Sequence, residues 1–260
     1  MKTIALISDF GTNDPYVGIL HGVARRIHPR IETLDLCHGI PAFSPLPAAF
    51  VLEQGLAFFP PRTVFVVVVD PGVGSRRRIL LAEKDGCVCI GPDNGVLTPV
   101  LVDSPRRVAS LDRPDFFLVH TATRGASTFD ARDKMVPAAA YLCLGVSPEA
   151  MSSPVQDPVT LEGYRPLRRG ADIVGQVVYE DRFGNLISNI PGRGLKPPFR
   201  VTVAGRKISG HVEVYAQGGR DPFTLVGSHG NLEIAVKEGS AAKALKAGIG
   251  SPVRVSPLGS

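Results

Sequence analysis

The sequence predicts an α/β protein, with a layered N-terminal domain around a central, mostly parallel sheet and a smaller C-terminal antiparallel β-barrel domain. The chain has 260 residues, of which 44% are hydrophobic, so it is long enough for two folded domains. Apolar strand and helix patterns alternate over residues 1–162, which favours a layered α/β domain. Over residues 170–257 the apolar period is two and Gly and Pro divide the strands, which is typical of a small antiparallel barrel or sandwich.

The segment from Val64 to Val69 is a continuous run of mostly β-branched apolar residues. This pattern is typical of a strand buried on both faces. The run stops at Asp70, and a Gly-rich turn with three arginines follows. Ligands of open α/β sheets bind outside the carboxyl ends of the strands, so Asp70 is a candidate functional residue. The ordinary alternative is an aspartate that only caps its own turn.

A second strand, Thr3 to Ser8, also ends in a carboxylate, Asp9, within a Gly-containing turn. Two carboxylates at neighbouring strand ends suit the two hydroxyls of a ribose, because an ionised carboxylate is a strong double acceptor. Further polar turns occur at 92–95, 127–133, 181–185 and 227–232. A Phe and an Asn from the second domain would stack on a base and read it.

Composition and spacing argue against several other classes of protein. No apolar run is long enough to span a membrane, and the N-terminus lacks a signal-peptide pattern, so we expect a cytoplasmic protein without a membrane partner. The formal charge is +5, but the basic residues are scattered, so we expect no nucleic-acid partner. Four cysteines and six histidines show no zinc spacing, and we expect no metal. Gly72 and Gly74 match only part of a dinucleotide-binding motif.

Six segments together carry a resemblance to a known family: SDFGTNDPYVG, VDPGVGSRRR, PDNG, STFDARD, FGN and GSHGNLEIA. In this order they resemble the S-adenosylmethionine hydroxide adenosyltransferases, which are S-adenosylmethionine hydrolases related to fluorinase and chlorinase. The resemblance covers nearly the whole chain. It implies a homotrimer, with a nucleoside site between the N-terminal domain of one subunit and the C-terminal domain of its neighbour.

The resemblance also assigns roles to individual residues. It implies that Asp70 and Arg77 are two of three catalytic residues. The implied substrate-binding residues are Asp9 at the ribose hydroxyls, Phe43 beside the adenosine, Asp181, Phe183 and Asn185 in the adenine and methionine pockets, and Ser228, His229 and Tyr16 on the methionine side. Which of Arg76, Arg77 and Arg78 faces the site stays open.

The chain departs from the family pattern at the third catalytic residue. The family has a His in a TFHGRD segment, and here Asp130 and Ala131 replace the His and the Gly. Either a carboxylate serves at this position, or catalysis is weakened or lost. His120 lies nearby in sequence but does not align, and we interpret it as a strand residue.

The implied reaction is hydrolysis of S-adenosylmethionine to adenosine and methionine. The leaving thioether is neutral and needs no acid, so we expect no cofactor. Asp70 would orient water or accept its proton, and Arg77 would keep Asp70 ionised. Two alternatives stay open. A protein that only binds adenosine or S-adenosylmethionine would explain Asp130, and a halogenase would share the fold. Halogenases carry a Tyr at the position of Asp70, where a carboxylate would repel halide.

Overall fold

The computed structural model describes residues 3–118, 128–208 and 210–258. The contacts within the chain form two compact units, Met1–Leu161 (unit 1) and Glu162–Ser260 (unit 2). The division lies within the Pro- and Gly-rich segment 155–170, but this segment is not a simple linker, because its residues Leu167–Arg169 form a strand of unit 2.

Unit 1 contains, in its described residues, a seven-stranded sheet in the order β2-β1-β3-β5-β4-β6-β7. The strands are β1 Thr3–Ser8, β2 Glu32–Cys37, β3 Val64–Val68, β4 Ile79–Lys84, β5 Cys87–Pro92, β6 Arg107–Leu111 and β7 Ser152–Pro154. Strands β2, β1, β3 and β5 pair with one another in parallel, in that order. Beyond β5, the strands β4, β6 and β7 extend the sheet through antiparallel pairs. The β4–β5 pair is an antiparallel hairpin around Gly86.

Helices cover both faces of this sheet. They are α1 Tyr16–Ile27, α2 Pro45–Phe58, α3 Thr98–Leu101, α4 Val136–Cys143 and α5 Pro148–Met151, with a 3-10 helix at Pro114–Phe116 and a π-helix at Ala131–Met135. The alternation of side chains along β3 explains the two layers. Val66 packs in the apolar cluster that contains residues of α1 and α4, and Phe65 packs in the cluster that contains residues of α2. The prediction of a central strand buried on both faces is confirmed.

Strand register brings the two predicted carboxylates to one edge of the sheet. β1 and β3 are parallel neighbours, and Ser8 pairs with Val68. Asp9 directly follows Ser8, and Asp70 comes two residues after Val68, so the chain leaves both strands at the same edge of the sheet.

Unit 2 is a barrel-like β structure, as the sequence predicts. The strands are β8 Leu167–Arg169, β9 Asp172–Glu180, β10 Leu186–Pro191, β11 Phe199–Val203, β12 Arg206–Ile208, β13 Gly210–His211, β14 Phe223–Val226, β15 Asn231–Ala235 and β16 Pro252–Pro257. They form one sheet, and its described pairs are antiparallel except for β13–β14. The short helix α6, Ala241–Leu245, is capped by the Ser240 side chain and packs on the barrel core.

Among the described residues, no helix combines the length and the apolar character that crossing a membrane requires.

Candidate functional site

Asp70 both caps its own turn and forms an ion pair. Its Oδ1 accepts hydrogen bonds from the Gly72 backbone N–H at 3.2 Å and from Arg77 Nε at 2.7 Å. Gly74, with φ of +80°, takes a left-handed conformation that lets the turn bring Arg77 back to the strand end. Asp70 therefore does more than cap its own turn, because it also holds Arg77 at the end of the strand.

Arg77 joins two carboxylates that are distant in sequence. Its Nη2 contacts Asp70 Oδ2 and also donates to Asp130 Oδ2. All three side chains are at most 10% exposed. Burial disfavours the charged guanidinium, but the hydrogen bonds and charges of Asp70 and Asp130 outweigh it and raise the pKa of Arg77. Arg77 is therefore a firmly charged bridge between the two carboxylates.

The structure also answers which of the three consecutive arginines faces the site. Arg76 is exposed, and Arg78 pairs with Asp93 and Asp157. Arg77 is thus the arginine bound to Asp70, a distinction that sequence pattern alone does not make.

Asp130 directly precedes the π-helix and has a second cationic partner. The Nζ of Lys134 lies 2.8 Å from Asp130 Oδ1. π-Helical turns are rare and often occur at functional sites. Asp70, Arg77, Asp130 and Lys134 thus form a connected group of two negative and two positive charges, the charge quartet. Lys134 was missed from the sequence, although its spacing of four residues from Asp130 on a helix was a usable signal.

A cleft of about 310 Å³ opens at this edge of unit 1. It is lined by five of the predicted residues: Asp9, Tyr16, Phe43, Asp70 and Asp130. Phe10 and Phe129 also line it, and their two rings and that of Tyr16 pack against one another at centroid separations of 5.2–5.6 Å. The cleft therefore combines carboxylates with an aromatic wall, and its size is within the range for small-molecule sites. The sequence did not single out Phe10 and Phe129.

Asp9 holds the loop that presents Phe43. The backbone N–H of Phe43 donates to Asp9 Oδ2 at 2.9 Å, and Phe43 has φ of +62°, which is unusual for a residue with a side chain. The Phe43 ring is 71% exposed in this chain. A large aromatic ring left in solvent beside a polar cleft is suited to stacking on a ligand.

Unit 2 carries a separate cavity of about 690 Å³, which Asp181, Phe183 and Asn185 line. The carboxylate of Asp181 organises this turn: it accepts bonds from the backbone N–H groups of Phe183 and Asn185 and from Asn185 Nδ2, each at 2.9 Å. Gly184 is required here, because a Cβ would lie 2.2 Å from Ser240 Oγ. The turn leaves Phe183 75% exposed.

Ser228 and His229 lie in the turn between β14 and β15 and do not line this cavity. His229 Nε2 is 3.4 Å from Glu233 Oε2, and the buried Glu233 also accepts the hydroxyl of Tyr215, which does line the cavity. Burial lowers the pKa of His229 and raises the pKa of Glu233. Tyr215 and Glu233 were not singled out from the sequence.

Within the described ranges, the structure contains no cluster of three or more His, Cys, Asp and Glu side chains that could hold a metal ion. Cys37, Cys87 and Cys89 form no disulfide within the described residues, and burial raises the pKa of the Cys87 thiol. His120 lies outside the described residues.

The fold and the cleft define a two-domain α/β and β-barrel protein with a small-molecule site at the edge of a parallel sheet. The family models of the S-adenosylmethionine hydroxide adenosyltransferase N-terminal and C-terminal domains match residues 4–152 and 175–254. The chain belongs to this family.

Relatives and solved structures agree with the family assignment. The (R)-S-adenosyl-L-methionine hydrolase of Thermus thermophilus is 37% identical over 98% of this chain and 100% of the relative, and that of Salinispora tropica is 34% identical over 97% of each. A structure of a conserved protein of Thermotoga maritima, described as uncharacterized, superposes with a TM-score of 0.85 at 29% identity over 97% of this chain and 99% of that one. The fluorinase of Actinopolyspora mzabensis is 25% identical over 97% of this chain and 96% of the relative.

Proposed function

We propose that this protein hydrolyses S-adenosylmethionine to adenosine and methionine. The observation that carries the proposal is the contact of Arg77 with both Asp70 and Asp130 at the cleft that Asp9 also lines. The full-length similarity to named S-adenosylmethionine hydrolases supports it.

The chemistry follows from the charges at the cleft. Water attacks the ribose 5′ carbon, the new carbon–oxygen bond forms as the carbon–sulfur bond breaks, and the bonding pair goes to sulfur. Methionine leaves as a neutral thioether. The proton of water passes to Asp70 and then to solvent, and a positioned base of this kind typically contributes about 10²–10⁴-fold to the rate. Arg77 fixes the carboxylate rotamer through Nε and Nη2.

Substrate binding is assigned to the rest of the cleft. Asp9 keeps one carboxylate oxygen beyond the one that accepts the Phe43 N–H, and this oxygen is available for a ribose hydroxyl. Phe43 stacks on the nucleoside. In unit 2, Phe183 and Asn185 contact the adenine, and Ser228 and His229 bind the methionine part, as the family resemblance implies. The homotrimer that the resemblance implies is proposed on the same ground.

The choice between water and halide rests on charge. Asp70 and Asp130 both line the cleft, whereas their cationic partners Arg77 and Lys134 do not, so halide approaching the reacting carbon meets carboxylate oxygens first. Water carries no charge and gains a hydrogen-bond acceptor there. We therefore favour the hydrolase over the halogenase.

The deciding experiment incubates the purified protein with the (R) and (S) sulfonium epimers of S-adenosylmethionine separately and quantifies adenosine by liquid chromatography. Adenosine formed in excess over an Asp70→Ala control supports the proposal. Tight adenosine binding without turnover would identify a binding protein instead. Formation of 5′-halo-adenosine in excess chloride or fluoride would identify a halogenase.

A further inference from the structure

We infer that Lys134 is a positioning residue of this site: it holds Asp130 so that Arg77 stays bound to Asp70. The inference rests on the proposed hydrolase function and deepens it. Its starting point is a charge problem that arises only because this chain has Asp130, where the family has a His.

The charge problem concerns two buried carboxylates that share one guanidinium. Asp70 Oδ2 and Asp130 Oδ2 both contact Arg77 Nη2, and only Arg77 Nε belongs to Asp70 alone. Asp70, Arg77 and Asp130 together carry a net charge of −1 in a region where all three side chains are at most 10% exposed. A buried charge without compensation is strongly unfavourable. Asp130 therefore competes with Asp70 for Arg77 unless another cation satisfies it.

Lys134 supplies that cation. Its Nζ lies 2.8 Å from Asp130 Oδ1, the oxygen that Arg77 does not contact, and the quartet becomes neutral. An ion pair between two exposed residues on a helix contributes little. Here the carboxylate is only 5% exposed, although Lys134 itself is 34% exposed, so the pair relieves a buried charge.

Lys134 acts through Asp130 and not on the substrate. It is not among the described residues that line the cleft with Asp9 and Asp70. It lines a second cavity, of about 490 Å³, which Arg77 and Asp130 also line. Among the described residues, the other charged groups near the site have roles of their own: Asp9 and Asp14 line the cleft, Asp133 pairs with Arg132, and Arg78 pairs with Asp93.

The test is a double-mutant cycle on the full chain, with adenosine formation as the readout. We expect Lys134→Met to lower kcat by about tenfold or more and to change KM by less than about threefold, because Lys134 affects Asp70 only through Asp130 and Arg77. Lys134→Arg keeps the positive charge, so we expect it to retain at least about half of the parent kcat. In the Asp130→Asn background, Lys134→Met changes kcat by less than about twofold, since no competing charge remains. Lys84→Met is the matched control: it removes an ion pair with Asp103 at the far end of β4.

An equal effect of Lys134→Met in both backgrounds, or no effect in the parent protein, would overturn the inference. Lys134→Gln repeats the cycle with a polar side chain, in case the methionine variant folds poorly.

A second readout does not require turnover. In protein labelled with ¹⁵N-arginine, the Arg77 Nε–H signal, assigned by its loss in Arg77→Lys, reports the bond to Asp70. We expect its exchange with water to accelerate at least about fivefold in Lys134→Met, because Asp130 then draws the guanidinium away from Asp70. Unchanged exchange would contradict the inference. If the parent protein forms no adenosine, the proposed function fails, and this measurement still decides the role of Lys134.

Discussion

Replacing Asp70 by Asn separates its charge from its structural contacts. An Asn side-chain oxygen can still accept the Gly72 N–H at 3.2 Å and the Arg77 Nε–H at 2.7 Å, so the turn and the rotamer of Arg77 are retained. The variant loses the ability to take a proton from water, and it also loses the ion pair with Arg77 Nη2, because an amide nitrogen replaces the oxygen that contacts this group. A positioned base contributes about 10²–10⁴-fold, so we expect kcat to fall by at least about 100-fold, which corresponds to about 2.7 kcal/mol of barrier.

The cost in stability is smaller, because Arg77 keeps Asp130 as a partner. Removing one member of an isolated buried ion pair costs about 3–5 kcal/mol, so we expect Asp70→Asn to lower the free energy of unfolding by less than about 3 kcal/mol. Adenosine release at saturating S-adenosylmethionine gives kcat, and chemical denaturation gives the stability.

Asp93→Asn is the matched control for this variant. Asp93 is also buried and paired with an arginine, Arg78, but it is not among the residues lining the cleft. We expect Asp93→Asn to lose a similar amount of stability. Its kcat should stay within about threefold of the parent value, because the substitution leaves the residues that line the cleft unchanged. An Asp70→Asn protein that keeps a tenth of the parent kcat, or an Asp93→Asn protein that falls as far, would refute the assignment of Asp70 as base.

Three further outcomes are expected. In Arg77→Lys the new side chain has no planar guanidinium, so it cannot bridge Asp70 and Asp130 in the same way. We expect kcat, measured by turnover, to fall at least about tenfold and Tm, measured by thermal unfolding, to fall by several degrees. Phe43→Ala should raise KM by about 5–150-fold with little change in Tm, because a base–aromatic stack contributes about 1–3 kcal/mol and the side chain is exposed in the free chain. His229→Gln should make Tm fall less between pH 7 and pH 5 than it does in the parent protein. In the parent, burial lowers the pKa of His229, so below about pH 6.5 the unfolded chain takes up a proton that the folded chain does not. The stability of the parent therefore falls by at most about 1.4 kcal/mol per pH unit from this group.

Each of these outcomes has a control. Arg76→Lys, at an exposed neighbour, should leave kcat and Tm unchanged. Phe58→Ala removes a ring that is 79% exposed at the end of α2, and a rise in KM as large as that of Phe43→Ala would mean that stacking is not the cause. Glu233, whose pKa is raised by burial, favours the folded state as pH falls and so opposes the effect of His229. The comparison therefore uses the difference between the parent and His229→Gln curves, and parallel curves would contradict the expectation.

The sequence predicted the architecture well where the signal is local. The apolar run before Asp70 predicted a strand buried on both faces, and the period of two after residue 170 predicted an antiparallel β domain, either a barrel or a sandwich. The order of the strands was not predictable in the same way. The β4–β5 hairpin inserts β5 beside β3, and the sheet then continues through antiparallel pairs. Such pairing depends on contacts between residues distant in sequence, which no local pattern records.

The candidate site shows the same limit. Asp9 and Asp70 were predictable because each ends a strand, and parallel strands end at one edge. The role of Arg77 among three arginines depends on how the Gly74 turn directs the chain. Lys134 lies in a π-helix that directly follows its partner Asp130, and propensity does not predict that helix type. In unit 2, the turn at Asp181 follows from its own hydrogen bonds, whereas the placement of Ser228 and His229 outside the residues lining that cavity depends on how the strands pair.

The π-helix at Ala131–Met135 has a consequence for how this segment tolerates change in length. A π-turn accommodates one residue more than an α-turn, and α4 continues directly from it. Deleting a single residue here would let an uninterrupted α-helix form, because the π-turn holds the one residue that an α-turn does not need. Such a deletion would leave α4 in place and would alter only the turn that carries Lys134, the partner of Asp130.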